Sequence, residues 1–208
     1  RDLHSFPTRR SSDLNRLMGM NQMKTQLDEI ARISIGASLP RYSKIYERDK
    51  QETDVLYCTV DEFYTKKGEI ATDIDSKYLT QKGDVIFRLS SPQAAISISE
   101  TSEIPEGVVV SSKFVIIKPR DVNPDFLAEL LNSNIARNQI QKFSEGIIKQ
   151  IKKNDVARLK FEIPSLEEQT EYVEYINLIN KEIKLKKQLL KENMDLKEGI
   201  IQKSQGVE

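Results

Sequence analysis

"SLEEQTEYVEYINLINKEIKLKKQLLKENMDLKEGIIQK", Ser165 to Lys203, is the stretch whose reading decides the fold. Ser165-Leu166-Glu167-Glu168 has the form of a capping box, in which a serine and a glutamate three residues later satisfy each other's backbone donors. No proline follows, and Gly199 is the first glycine after it. The spacing therefore predicts one helix from about Leu166 to about Lys203, roughly 55 Å long at 1.5 Å per residue. On a helical wheel Tyr172, Ile176, Ile179, Ile183, Leu190, Met194 and Ile201 fall within a sector of about 60°. Leu178, Leu185, Leu189, Leu196 and Ile200 form a second stripe displaced by about 120°. Lys186 and Lys197 interrupt the first stripe, so it is not a regular heptad seam. A helix lying on a globule needs one apolar stripe, so two stripes on a charged helix predict two packing partners.

Upstream, Asn15 to Pro164 reads as mixed strand and helix. Leu27, Ile30 and Ile33 in "TQLDEIARISIGAS" have near-helical spacing and lead to Ile35-Gly36, a helix or strand that turns at the glycine. "DVLYCTVDEF" and "GDVIFRLS" are β-rich, the second launched by a Lys82-Gly83-Asp84 turn. "EGVVVSSKFVIIKP" holds two more runs, Val108 to Val110 and Phe114 to Ile117, closed by Pro119. Asn123-Pro124-Asp125 opens a helix that buries Leu127, Leu130, Leu131 and Ile135. Beyond it lie a Gly146 turn, a short strand or loop, and a strand from Leu159 to Ile163.

The start of the chain is of another kind. "DLHSFPTRRSSDL", Asp2 to Leu14, follows neither period. Read back through the genetic code, Arg1 to Leu14 matches one frame of an adaptor ligated to fragments for short-read sequencing. Residues 1–14 are accordingly set aside as a non-native segment, and native residues before Asn15 are expected to be missing. His4, the one histidine, goes with them.

What remains excludes much chemistry. Without histidine the chain lacks the usual general base near neutral pH and the commonest metal ligand. A lone Cys58 allows no internal disulfide and no cysteine zinc cluster. Asp73 and Asp75 are a single alternating pair, Glu182-Ile183-Lys184 sits inside the long helix, and Asn123-Pro124-Asp125-Phe126 reads best as a helix start. No catalytic or metal-ligating residue is predicted. No apolar run reaches membrane-spanning length, so cytoplasm is the expected compartment. Lys plus Arg equals Asp plus Glu at 32 each, but the charge is uneven: Arg137 to Lys160 carries seven basic residues and two acidic ones. A local basic face of this kind suits contact with phosphates.

Four pieces, in this order and spacing, resemble the specificity subunits of type I restriction-modification systems. They are "LDEIARISIGASLPR", "YLTQKGDVIFRLSSPQAAI", "NPDFLAELLNS" and "EGIIKQIKKNDVARLKFEIPSLEEQTEYVEYIN". The resemblance implies an α+β target-recognition domain with a mixed β-sheet and helices over 15–164, followed by a long coiled-coil-type spacer and dimerisation helix over 165–208. It implies sequence-specific binding of double-stranded DNA at half of a bipartite site, with no catalysis by this chain. The implied partners are a methyltransferase subunit, which would carry S-adenosylmethionine, a restriction subunit, and a second specificity half paired through antiparallel helices. Only one recognition unit is present, so the chain is expected to be either a truncated second half or a half-length form that pairs with itself.

Polar loops supply the candidate DNA contacts. They are Arg41, Tyr42, Ser43 and Lys44; Arg88, Ser90, Ser91 and Gln93; and Lys149, Gln150, Lys152 and Lys153. Lysine and arginine would neutralise phosphates, while arginine, glutamine and serine reach base edges. Two rival readings stand beside this one: a coiled-coil adaptor that binds no DNA, and a stand-alone DNA-modifying enzyme.

Overall fold

The computed structural model describes residues 24–43, 49–59, 62–100, 102–143 and 151–204. Its first strand, β1 (Thr25–Gln26), pairs antiparallel with its last, β8 (Lys160–Phe161), so the two ends of the body are stitched together. Between them run α1 (Leu27–Ile30), β2 (Ala31–Ile35) and α2 (Leu39–Ser43), then β3 (Lys50–Cys58), β4 (Phe63–Ala71), β5 (Val85–Arg88), β6 (Ala95–Ser97) and β7 (Phe114–Pro119). Helices α3 (Pro124–Asn132), α4 (Asn134–Phe143) and α5 (Lys153–Ala157) follow, and α6 (Leu166–Ser204) leaves the body after β8. This is the expected α+β class with a long terminal helix.

A four-stranded antiparallel sheet, β2-β7-β5-β6, forms the middle layer. Its central strands are apolar on both faces because both are covered, the situation that produces continuous rather than alternating hydrophobic runs. Val85, Phe87, Val115 and Ile117 face a cluster with Leu127, Leu131, Ala136, Ile140 and Val156 from the helices and with Ile151 ahead of α5. Ile86, Phe114 and Ile116 face the other way, against Leu56, Ile98, Ile104, Val108 and Val110. The third layer is the β3–β4 hairpin, which sequence reading found only in its first strand. Among the described residues all ladders are antiparallel; parallel pairing occurs in the isolated bridges Ala37–Ser111 and Val55–Val109.

Val108 to Val110 was expected to be a strand. It makes no ladder, and instead its backbone ties three segments together: Thr80 N donates to Val108 O, Leu56 N to Val109 O, and Ala37 N to Val110 O, at 2.7–2.9 Å. Gly36 makes this closure possible, since a Cβ there would lie 2.2 Å from Ser111 O and 2.5 Å from Val110 O. The Lys82-Gly83-Asp84 turn is present, with Gly83 at φ +86°. The buried Asp84 carboxylate accepts from Gln81 N at 3.0 Å and pairs with Lys118 at 3.1 Å.

The helix after Asn123 begins as predicted, with Asn123 Oδ1 accepting from Asp125 N and Phe126 N. It does not continue as one rod. Ser133 is extended at φ −71°, ψ 161°, and its hydroxyl donates to Leu130 O at 2.6 Å, closing α3 before α4 begins. The break changes the phase of burial. Ile135, expected inside, is 59% exposed, and Ala136 and Ile140 take the core positions. The expected strand or loop before Leu159 is the short helix α5, begun by Lys152 N donating to the Asp155 carboxylate at 2.8 Å. The strand predicted over Leu159 to Ile163 shrinks to β8. The Gly146 turn and residues 1–14 lie outside the described residues.

The capping box forms as read: Ser165 N donates to Glu168 Oε2 at 2.9 Å, and Glu168 N to Ser165 Oγ at 3.4 Å. Among the described residues no helix is long and apolar enough to cross a membrane. Replacing Gly36 by alanine is expected to cost about 3 kcal/mol or more, because a methyl group there meets backbone oxygens that cannot rotate away. Urea denaturation checks this, with Gly199→Ala as the control; no atom lies near its added Cβ, so the body should keep its stability.

Candidate nucleic-acid interface and docking face

Strand β5 ends at Arg88, where the backbone turns out of the sheet and returns as Arg88 N donates to Ala94 O at 2.9 Å. The turn holds Ser90, the exposed Ser91 in a cis bond to Pro92, and the half-buried Gln93. Ile151 N donates to Leu89 O at 3.1 Å, and the Ile151 side chain is in the core. That contact sets the exposed Lys152 and Lys153 beside the same turn. Two of the three predicted loops therefore converge, although about sixty residues separate them in sequence. Lys149 and Gln150 lie outside the described residues, immediately before Ile151.

Arg88 has a different place from the one expected of a base reader. Its Nε donates to Ser90 Oγ at 2.9 Å and its Nη1 to Thr59 O at 2.7 Å, with Cys58 Sγ 3.7 Å away. The guanidinium thus joins the turn to the end of β3. Burial raises the Cys58 thiol above its ordinary pKa, and Arg88 pulls it partly back down.

The third predicted loop goes elsewhere. Side chains alternate across β3, so Leu56 and Cys58 face the sheet while Val55 and Tyr57 face outward to a smaller cluster with Ile70, Val109 and Leu39. Leu39 opens α2, so the exposed Arg41 sits over the hairpin face opposite to Arg88. The Tyr42 and Ser43 side chains, and all of Lys44, lie outside the described residues.

The outer face of the hairpin carries a group that sequence reading missed. Tyr57 and Tyr64 are cross-strand partners with rings stacked at 5.8 Å and 20°. Lys66 Nζ lies 5.4 Å from the Tyr64 ring centroid and 6.0 Å from that of Tyr57. A flat aromatic surface topped by an ammonium is suited to a ring or a phosphate. The signal is two tyrosines that cross-strand pairing sets opposite each other, and it requires β4 to be recognised first.

The long helix has two regimes. Gln169 and Val173 are buried, Tyr172 and Ile176 are half-buried, and Tyr172 stacks on Phe126 of α3 at 6.3 Å. Asn180 Nδ2 donates to Glu129 Oε1 at 3.1 Å, and Lys184 reaches Glu103 at 3.6 Å. From Asn177 to Ser204 every residue is exposed. On the wheel the body covers a sector roughly 50° to one side of the first stripe and nearly opposite the second. Tyr172 and Ile176 alone among the predicted packing residues meet the body. Ile179, Ile183, Leu190, Met194 and Ile201 stay uncovered, as do Leu178, Leu185, Leu189 and Leu196.

Residues 21–192 match the family described as "Type I restriction modification DNA specificity domain". The chain belongs to this family. Among solved structures it is similar to a chain from a study of complex assembly and conformational transition of the type I R-M system (TM-score 0.64, 20% identity). That match covers 88% of this chain and 48% of the other. It is also similar to the HsdS subunit from Thermoanaerobacter tengcongensis (TM-score 0.56, 21% identity), over 80% of this chain and 44% of that one. The chain thus spans a little under half the length of both. No curated protein matches it. Among the described residues of this specificity domain, no group of three or more histidine, cysteine, aspartate or glutamate side chains is placed to hold a metal ion.

The Cys58–Arg88 contact makes a pH prediction. Alkylation follows the thiolate, so the midpoint of its pH profile should lie above that of an ordinary thiol. Arg88→Ala removes the one group that lowers the pKa, so the midpoint should rise further. A fall on that substitution would contradict the placement of the guanidinium.

Proposed function

We propose that this chain is a DNA-addressing unit of a type I restriction-modification complex that binds half of a bipartite site and performs no bond chemistry itself. In this reading residues 15–164 are the recognition domain and 165–208 the spacer helix. Adenine methylation then belongs to a methyltransferase subunit carrying S-adenosylmethionine, and cleavage to a restriction subunit, in the cytoplasm. The observation that carries the reading is the pair of apolar stripes left exposed on α6 in a member of the specificity-domain family. One stripe is assigned to a second specificity half in antiparallel pairing and the other to the methyltransferase subunit.

On the DNA side, Lys152 and Lys153 together with the Arg88–Gln93 turn form one reading edge. Lys152 and Lys153 neutralise phosphates, Ser91 and Gln93 approach bases, and Arg88 holds the turn in shape. The Tyr57–Tyr64–Lys66 group on the outer face of the hairpin, with Arg41 of α2 over that face, makes a second DNA contact apart from this edge.

Lys152→Ala combined with Lys153→Ala is expected to weaken binding to all duplexes alike. It should also reduce the slope of log K against log salt by about 2, near 0.9 for each phosphate left without its lysine. Fluorescence anisotropy across a salt series measures this, and an unchanged slope rejects the assignment. An adaptor without DNA affinity predicts no binding even at low salt. Ile183→Glu places a charge in the first stripe and should abolish pairing or methyltransferase docking while the body stays folded. Sedimentation with circular dichroism decides that, and an intact assembly contradicts the two-partner helix.

A further inference from the structure

The angle at which α6 leaves the body is held by unusually specific contacts. Gln169 is 1% exposed, near the start of a helix that is solvated from Asn177 onward. Its Oε1 accepts from Asn123 N at 2.7 Å, and its Nε2 donates to Pro164 O at 2.8 Å. One amide therefore ties the residue ahead of α3 to the proline two residues ahead of α6. Beside it Phe126 stacks on Tyr172, so the two helices are fixed in rotation as well as in distance.

The far side of α3 is fixed just as firmly. Asn132 Oδ1 accepts from Ala95 N at 2.8 Å while its Nδ2 donates to Ala95 O at 3.0 Å, and Ser97 Oγ donates to the Asp125 carboxylate. Ala95 and Ser97 belong to β6, the strand that begins where the Arg88–Gln93 turn ends. A continuous series of directional bonds thus runs from the turn, through β6 and α3, to the root of the tail. A greasy contact alone would allow the helix to roll, because apolar packing is not directional. A buried amide with both ends satisfied does not, since rolling would leave polar atoms unpaired.

We propose that Gln169 is a positioning residue, the pin of a rigid joint that sets the direction of the tail relative to the DNA-facing turn. This rests on the proposed function for its purpose, but the joint itself can be measured without DNA or partners. In a Cys58→Ser background, spin labels at Lys113→Cys and Lys191→Cys report the body-to-tail distance by pulsed electron resonance. Diluting labelled chain into excess unlabelled chain removes distances between copies.

The parent should give one narrow distribution. Gln169→Ala should broaden it by about twofold or more, as the two backbone groups are left without their shared partner. Gln169→Glu keeps the acceptor for Asn123 N and removes the donor to Pro164 O, so it should fall between the two. Gln188→Ala, on the uncovered part of the helix, should change nothing. A Gln169→Ala chain that keeps its helicity and a distribution as narrow as the parent's would overturn the joint; should that variant fail to fold, a parent-like width in Gln169→Glu would overturn it.

The assembled complex supplies a readout that mere weakening of the fold would not move. Reduced stability lowers methylation at every spacer length equally, whereas a loosened joint relaxes the preference for one spacer over those a base pair longer or shorter. A broadened distance with an unchanged spacer preference would uphold the joint and count against the bipartite-site reading.

Discussion

The structure is governed by a mismatch of lengths. Helix α6 has 39 residues and so extends about 58 Å, but the body covers side chains only over its first three turns, as far as Ile176. Beyond that, large apolar side chains from Leu178 to Ile201 remain in water. Each would contribute about 1.5–3 kcal/mol on full burial, so the uncovered length holds ample free energy for association. Exposed helices draw little from propensity alone. A few i, i+4 contacts, such as Glu182 with Lys186 and Gln188 with Glu192, support the tail locally, but such pairs contribute only tenths of a kcal/mol each. The uncovered part of the helix therefore draws little from contacts within the described chain.

The body is arranged around the opposite end of the same logic. Its central strands are covered on both faces, by helices on one and by the hairpin with the Val108–Val110 segment on the other. With the sheet shielded, polar variety is confined to the turns where strands leave it. The Arg88–Gln93 turn and the Lys152–Lys153 segment meet because Ile151 is pinned to Leu89 by a backbone bond and buried in the core. Arg88 braces that edge rather than projecting from it, which leaves the exposed lysines and Ser91 as its outward chemistry.

Local features of this fold could be read directly from sequence. The Ser165–Glu168 box, the Asn123 cap and the Gly83 turn are each decided by residues within a few positions, and each formed as expected. Features decided across the chain could not be read that way. Ser133 divides a helix whose apolar spacing looked unbroken, so the burial of Ile135 was misjudged and Ala136 overlooked. Strand β4, "FYTKKGEIA", is charged along an edge and shows no core-facing alternation until it is paired with β3. Gln169 was passed over because a polar residue near a helix start normally faces water, and nothing local marks the two backbone groups it joins. Of the polar segments expected to be loops, Ser90 to Gln93 lie in a turn, whereas Arg41 lies in α2 and Lys153 opens α5; which of them meet depends on the Leu89–Ile151 backbone contact, invisible to periodicity.

The central claim is that this molecule determines where a separate methyltransferase acts. Its most direct test is to co-express the chain with its cognate methyltransferase subunit and map methylated adenines by single-molecule sequencing, with and without the chain. The account predicts methylation at one defined motif only when the chain is present, and a different motif when residues 24–164 are exchanged for those of another family member. Methylation at the same positions without the chain, or a motif unmoved by that exchange, would contradict it.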